Sequence, residues 1–183
     1  MKTGNISTKI NRLKPILLLL LLIISKKTLA QDKVAPVNYS LDIPSDFKQY
    51  ESDVIKCINW LALNPRTFKP KERLKTEDFL VKWIYGSPYV NVVVEPYIMK
   101  LSGKNADLLL SFMFGYTLYQ LEHPGDKNLV PANIAGINRL INDYQLNFST
   151  FIKDPLINRV IELEKEGKLS DWLEPQLNQK TMN

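Results

Sequence analysis

The chain holds one cysteine and one histidine in 183 residues, and both scarcities exclude chemistry. With Cys57 alone, no intramolecular disulfide and no multi-cysteine zinc or iron–sulfur site can form. With His123 alone, the H-E-x-x-H metalloprotease pattern is ruled out. The phosphate-binding G-x-x-x-x-G-K-[ST] loop, the dinucleotide fingerprint G-x-G-x-x-G and the hydrolase elbow G-x-S-x-G are all missing. No metal and no cofactor is expected. A repeat near 34 residues is missing too, which argues for one irregular domain over a solenoid.

The first thirty residues lack any acid. Lys2, Lys9, Arg12 and Lys14 precede an unbroken apolar run from Ile16 to Ile24, and Thr28-Leu29-Ala30 places small residues before Gln31. That order is the pattern of a secretory signal peptide, cleaved between Ala30 and Gln31. A membrane span needs about 20 apolar residues, more than twice this run. The alternative is an uncleaved leader retained as an anchor, the one expected route to a membrane. Export places the protein in the periplasm or outside the cell.

The leader also accounts for the basic charge. It carries six of the 24 Lys and Arg residues and none of the 19 acids, so the chain's +5 becomes −1 beyond residue 30. Nucleic acid is therefore not an expected partner, because a basic footprint is absent from the processed chain. An unidentified protein or envelope ligand is.

Beyond the leader, periodicity predicts a mainly α domain. The organisation read from the sequence is a signal peptide (1–30), an extended lead-in (31–44), a helical domain (45–175) and a polar tail (176–183). The domain is expected to hold about five helices and one β-prone extended segment, 89–94. Phe47, Tyr50, Val54, Cys57, Ile58 and Leu61 recur at helical steps after Ser45 or Asp46, either of which offers an N-cap. Cys57 lies in that apolar face and reads as a small buried hydrophobe.

Residues 66–75 read as a basic connector, in which Arg66, Lys69, Lys71, Arg73 and Lys75 face only Glu72. A solvated loop is one reading. A contact with anionic lipid or polysaccharide is the other. Thr76 then reads as an N-cap for a helix bearing Phe79, Leu80, Trp83 and Ile84, with Gly86 as its left-handed terminator and Pro88 as its stop.

Tyr89 to Val94 is the one strongly β-prone run of the processed chain. It either pairs with the 34–41 lead-in or lies unpaired across helices. Asn105 reads as the cap of the next helix. From Ala106 to Leu121 that helix is apolar on nearly every face, so it belongs at the centre of the core. Gly115 within it suits close approach by a neighbour. His123-Pro124-Gly125-Asp126 reads as a turn, Ile134, Ile137, Ile141 and Tyr144 as a helical stripe, and Asp154-Pro155 as a cap with proline at the first helical position. Gly167 ends that helix, and Ser170–Leu173 makes a last helical turn before Pro175.

Few residues suggest a site. Glu95, beside the apolar run, is the acid most suited to a raised pKa; Tyr97 neighbours it, and His123 is the sole imidazole. Tyr85, Tyr89, Tyr97, Tyr116 and Tyr119 could line a groove, although aromatic stripes more often fill cores. The expected function is an exported, non-catalytic helical binding or scaffolding module. A small envelope hydrolase or transferase using His123 or Glu95 is the first alternative, and anionic-surface contact through 66–75 the second.

Phe79-Leu80-x-x-Trp83-Ile84-x-Gly86-Ser87-Pro88, with Asn133-x-Ala135-Gly136, resembles an element shared by a group of small uncharacterised exported bacterial proteins. The resemblance spans most of the processed chain. It implies export and a helical C-terminal half, and it brings no activity, cofactor or site residue.

Overall fold

Proline placement sets much of the helix pattern. The computed structural model describes residues 33–178, which form eight helices and no strand. The expected leader, its cleavage point at Ala30–Gln31 and residues 179–183 lie outside the described residues. The helices are α1 (Pro44–Gln49), α2 (Glu51–Leu63), α3 (Pro70–Gly86), α4 (Pro96–Ser102), α5 (Asp107–Glu122), α6 (Leu129–Leu146), α7 (Pro155–Lys165) and α8 (Leu169–Asn178). Proline opens α1, α3, α4 and α7, where its fixed φ suits the first turn and its missing N–H costs nothing.

The expectation of about five helices is therefore too low, for identifiable reasons. The 45–64 segment is two helices, because Tyr50 leaves helical geometry at φ −94° and ψ 2°. The start of α1 is tied by Asp46, whose carboxylate accepts from the Asp42 and Ile43 N–H groups at 3.0 and 3.3 Å. Helix α3 begins six residues before Thr76, at Pro70, after Lys69 in the left-handed region at φ 43°. Thr76 is instead a buried mid-helix residue that donates to the Glu72 carbonyl at 2.8 Å. Helix α4 was masked by its proline, which reads equally as the end of the extended run. Helix α8 continues through Pro175 to Asn178.

Gly86 is not a left-handed terminator. It is the last residue of α3, and a Cβ there would meet Phe47 Cζ at 2.7 Å, so the glycine makes room for a core ring. Gly167 does end α7 at φ +69°, and Asp154 caps that helix by accepting from the Leu156 N–H at 2.9 Å.

Residues 89–94 lie unpaired across helices. A helix side chain takes the place of a neighbouring strand: Gln120 of α5 accepts from Asn91 N at 2.9 Å and donates to Asn91 O at 3.3 Å. Asn105 does the same for Ile152, accepting from its N–H and donating to its carbonyl, both at 2.8 Å, rather than capping α5. Two side-chain amides thus satisfy backbone that would otherwise need a sheet.

Two apolar clusters form the core. One joins Val34 and Ala35 of the lead-in to α1, α2, α3, Val90 and Phe114; the other joins α4 to α8. Helix α5 feeds both, and Val92 and Met113 touch both. Its near-continuous apolar surface is explained by that central position. Among the described residues, no helix is long and apolar enough to cross a membrane.

Cys57 is fully buried in the first cluster, and its thiol donates to the Val34 carbonyl at 3.5 Å. Burial pushes its pKa up to about 12, with Asp53 adding to the effect. The native protein should therefore resist thiol reagents at mildly alkaline pH and react fully once denatured, as counted by mass spectrometry. Because the folded value lies above the unfolded one of about 8.5, stability is complete below that pH and is lost as pH rises. Tyr97 and Tyr116, both raised chiefly by burial, extend the loss to higher pH.

Candidate functional site

The most polar part of the interior is built on one ladder of α6. Arg139, Asp143 and Asn147 stand at four-residue intervals, so they share a face. Asp143 is the centre of the cluster, with 0% of its side chain exposed. Its Oδ2 accepts from Arg66 Nη2 at 2.8 Å and Ser111 Oγ at 2.6 Å. Its Oδ1 accepts from Asn147 Nδ2 at 2.8 Å and Arg73 Nη2 at 3.4 Å. A carboxylate offers about four lone-pair positions, and here all are taken.

Arg66 and Arg73 are bound further. Arg66 pairs with Asp107 at 2.8 Å, its backbone N–H donates to Asn147 Oδ1 at 2.6 Å, and its guanidinium lies 5.1 Å from the Phe151 ring centre. Arg73 donates to Glu77 and to the Asn64 carbonyl, both at 3.0 Å. Burial pulls the Arg73 pKa down, while Asp143 and Glu77 push it back up. Glu77 is raised, because its burial outweighs the pull of Arg73 and Arg66. The 66–75 segment is thus only partly a connector: Pro70 onward is helix, and two of its five cations turn inward.

Arg139 is different. It is 8% exposed, yet its Nε and Nη1 have no hydrogen-bond partner among the described residues. Asp143 favours its charge, but burial dominates and lowers its pKa to about 10, so it stays cationic at neutral pH. Buried N–H groups of a cation left without partners are costly, and such groups concentrate at functional sites.

Arg139 also lines a cleft of about 330 Å³. Helix α2 contributes Ala62 and Leu63, α5 contributes Gly115, Leu118, Tyr119 and Glu122, and α6 contributes Ala135, Arg139 and Asn142. Asn142 Nδ2 donates to the Ala62 carbonyl at 3.1 Å and ties α2 to α6 at the cleft. Close approach of α5 and α6 shapes the floor. A Cβ on Gly115 would fall 2.5 Å from both Ala135 O and Arg139 Cβ, and one on Gly136 would fall 2.5 Å from the Phe112 ring. The close approach expected at Gly115 is therefore present. A mostly apolar cleft with a few converging polar groups is the usual form of a small-molecule site.

The residues singled out in the sequence fall elsewhere. Glu95 is 4% exposed and precedes α4, where its carbonyl accepts from Ile98 N at 3.0 Å. It lies close enough to Tyr97 and Tyr116 to help raise both phenols. Tyr97 is itself buried; its hydroxyl donates to Asn133 Oδ1, and its ring meets Trp172 edge-on at 5.6 Å. His123 is exposed at the end of α5, stacked on Tyr119 at 4.2 Å, with Nδ1 3.0 Å from the Tyr119 carbonyl. Tyr119 in turn donates to Asp126 at 2.7 Å, closing the turn. The five tyrosines line no common groove, since Tyr85 is 94% exposed while Tyr97 and Tyr116 are in the core. No group of three His, Cys, Asp or Glu residues suited to a metal occurs among the described residues.

These features define a helical domain with a small cleft and a buried, unsatisfied arginine at its wall. Comparison with protein families, curated proteins and solved structures gives no match. The sequence reading missed this cluster, although the Arg139-x-x-x-Asp143-x-x-x-Asn147 spacing, a polar face on an apolar helix beside Gly136, carries a signal of it. Its partners Arg66 and Arg73 carry no local mark, because their pairing spans 77 and 70 residues.

Proposed function

We propose that this chain is an exported, non-catalytic helical module that binds a small ligand in the cleft between α2, α5 and α6. The observation that carries the reading is Arg139, which lines the cleft and keeps two buried N–H positions, Nε and Nη1, without partners among the described residues. The basic, apolar and small-residue order of residues 1–30 supports export. Binding without catalysis fits a cleft whose polar groups are an arginine, a carboxamide, a phenol held by Asp126 and one exposed acid. That set offers recognition and no nucleophile–base pair.

In-cell photo-crosslinking from position 63 tests this directly. Leu63 is 79% exposed beside the cleft, so a reactive residue there leaves the fold intact. Mass spectrometry should find an N-terminus at Gln31 and a small-molecule adduct on the cleft. An intact leader would remove the reading of cleavage after Ala30 and leave the retained anchor. Turnover of an envelope substrate, abolished by a single substitution, would remove the non-catalytic one.

A further inference from the structure

Three loops meet at one end of the domain: 64–69 between α2 and α3, 103–106 between α4 and α5, and 147–154 between α6 and α7. Arg66 joins the first to the third, through its N–H on Asn147 Oδ1 at 2.6 Å and its guanidinium 5.1 Å from the Phe151 ring centre. Asn105 joins the second to the third, holding both backbone groups of Ile152 at 2.8 Å. Thr150 donates to the Asn147 carbonyl at 2.8 Å, and the Asp154 N–H donates to the Tyr144 hydroxyl at 3.1 Å. The 147–154 backbone is thus fixed, yet it leaves Phe148 50% and Ile152 61% exposed. Phe68, 43% exposed, stands on the 64–69 loop. Single exposed apolar side chains are ordinary; three on interlocked loops mark a contact surface.

Positive charge accompanies the exposed rings. Lys153 Nζ lies 5.3 Å from the Phe148 ring centre, and Lys69 Nζ lies 5.8 Å from that of Phe68. The acids here are answered: Asp107 by Arg66 at 2.8 Å, and the buried Asp154 by Lys104 at 3.6 Å. No carboxylate pairs with Lys153 among the described residues.

We infer that this end of the domain docks on an anionic lipid surface, with Phe148 and Ile152 entering the headgroup–acyl boundary and Lys153 meeting lipid phosphates. Protein interfaces deplete lysine at their apolar centre, whereas here a lysine lies against the ring itself. A bilayer surface accommodates that pairing, because the ring sinks while the ammonium stays among the headgroups. So few anchoring groups give reversible contact. None of the cleft's lining residues belongs to these loops, so the two sites stand or fall separately.

A nitrobenzoxadiazole label on Ser149→Cys of the full-length chain tests the contact. Ser149 is exposed between the two anchors, and the buried Cys57 stays unlabelled. On vesicles of phosphatidylglycerol and phosphatidylcholine, the emission should shift to the blue and be quenched by brominated lipid. The same label on Tyr85→Cys, 94% exposed and about 22 Å along α3 from Pro70, should show neither effect. Phe148→Ser with Ile152→Ser should abolish the shift at 149 while the domain still unfolds cooperatively on heating. Lys153→Gln should raise the lipid needed for half the shift about fivefold on anionic vesicles and leave it unchanged on phosphatidylcholine alone.

No shift at 149, equal shifts at 149 and 85, or a shift that survives in the folded double variant would overturn the assignment. Undiminished affinity of Lys153→Gln for anionic vesicles would overturn the choice of an anionic surface.

Discussion

Asp143→Ala should cost the domain about 3–5 kcal/mol, the loss expected when one partner of a buried ion pair is removed and the other stays. The figure is large because Asp143 answers two arginines, a serine and an asparagine at once. Without it, Arg66 and Arg73 become buried cations short of an acceptor, joining Arg139 in that state. Against total stabilities of about 5–15 kcal/mol, that loss is a large share. Urea unfolding checks it, with Asp78→Ala as the contrast. Asp78 pairs with Lys82 at 2.7 Å, but both side chains are more than half exposed, and removing that pair should cost below about 1 kcal/mol. Equal losses for the two variants would show that Asp143 is no hub.

Gly115→Ala should be a strongly disruptive single-carbon addition. The new methyl would stand 2.5 Å from the Ala135 carbonyl oxygen and 2.5 Å from Arg139 Cβ, and 3.0 Å from Gly136 Cα. Two of the three neighbours are backbone, so the helices must separate rather than a side chain turn away. Overpacking of this kind costs about 1–3 kcal/mol. Helix propensity favours alanine by about 1 kcal/mol, which only partly offsets it. The same step pushes on the Arg139 stem at the cleft, so the variant should melt earlier. A thermal scan reads the effect. An unchanged melting temperature would mean that α5 and α6 do not pack as closely as described.

How far the sequence foretold this fold depends on how local each signal is. Helices α6 and α7 were legible because their signals are local: the Ile134, Ile137, Ile141 and Tyr144 stripe, the Asp154-Pro155 cap and Gly167. The central place of α5 was legible because its apolar surface has no polar face to turn outward. Where one signal had two meanings, the sequence misled. Pro96 ends an extended run and starts a helix, and Thr76 caps well but also bonds back inside a helix. The β-branched run at 89–94 has strand character that only tertiary context could cancel. Gln120 supplies that context from about thirty residues away.

The cleft was less legible than the helices. Glu95, Tyr97 and His123 drew attention by residue type, whereas each is taken up by a helix end, a core pair or a turn. The groups that matter are an arginine and the cations around it, brought together from the α2–α3 loop, α3 and α6. Sequence spacing reveals the α6 half of that arrangement and hides the rest, because a residue 70 positions away leaves no periodic trace.

The central claim is that Arg139 lines the cleft as a binding group and is not a structural member of the Asp143 cluster. Urea unfolding of Arg139→Met beside Arg73→Met tests it most directly. Both replace a buried guanidinium with an apolar chain of similar reach, but only Arg73 has its hydrogen bonds met inside the protein. Arg73→Met should lose about 3–5 kcal/mol by orphaning its partners, whereas Arg139→Met should be neutral or gain about 1–3 kcal/mol by removing an uncompensated charge. Opposite signs are the predicted result. A loss at Arg139 matching that at Arg73 would contradict the account, because it would make Arg139 one more member of the structural cluster.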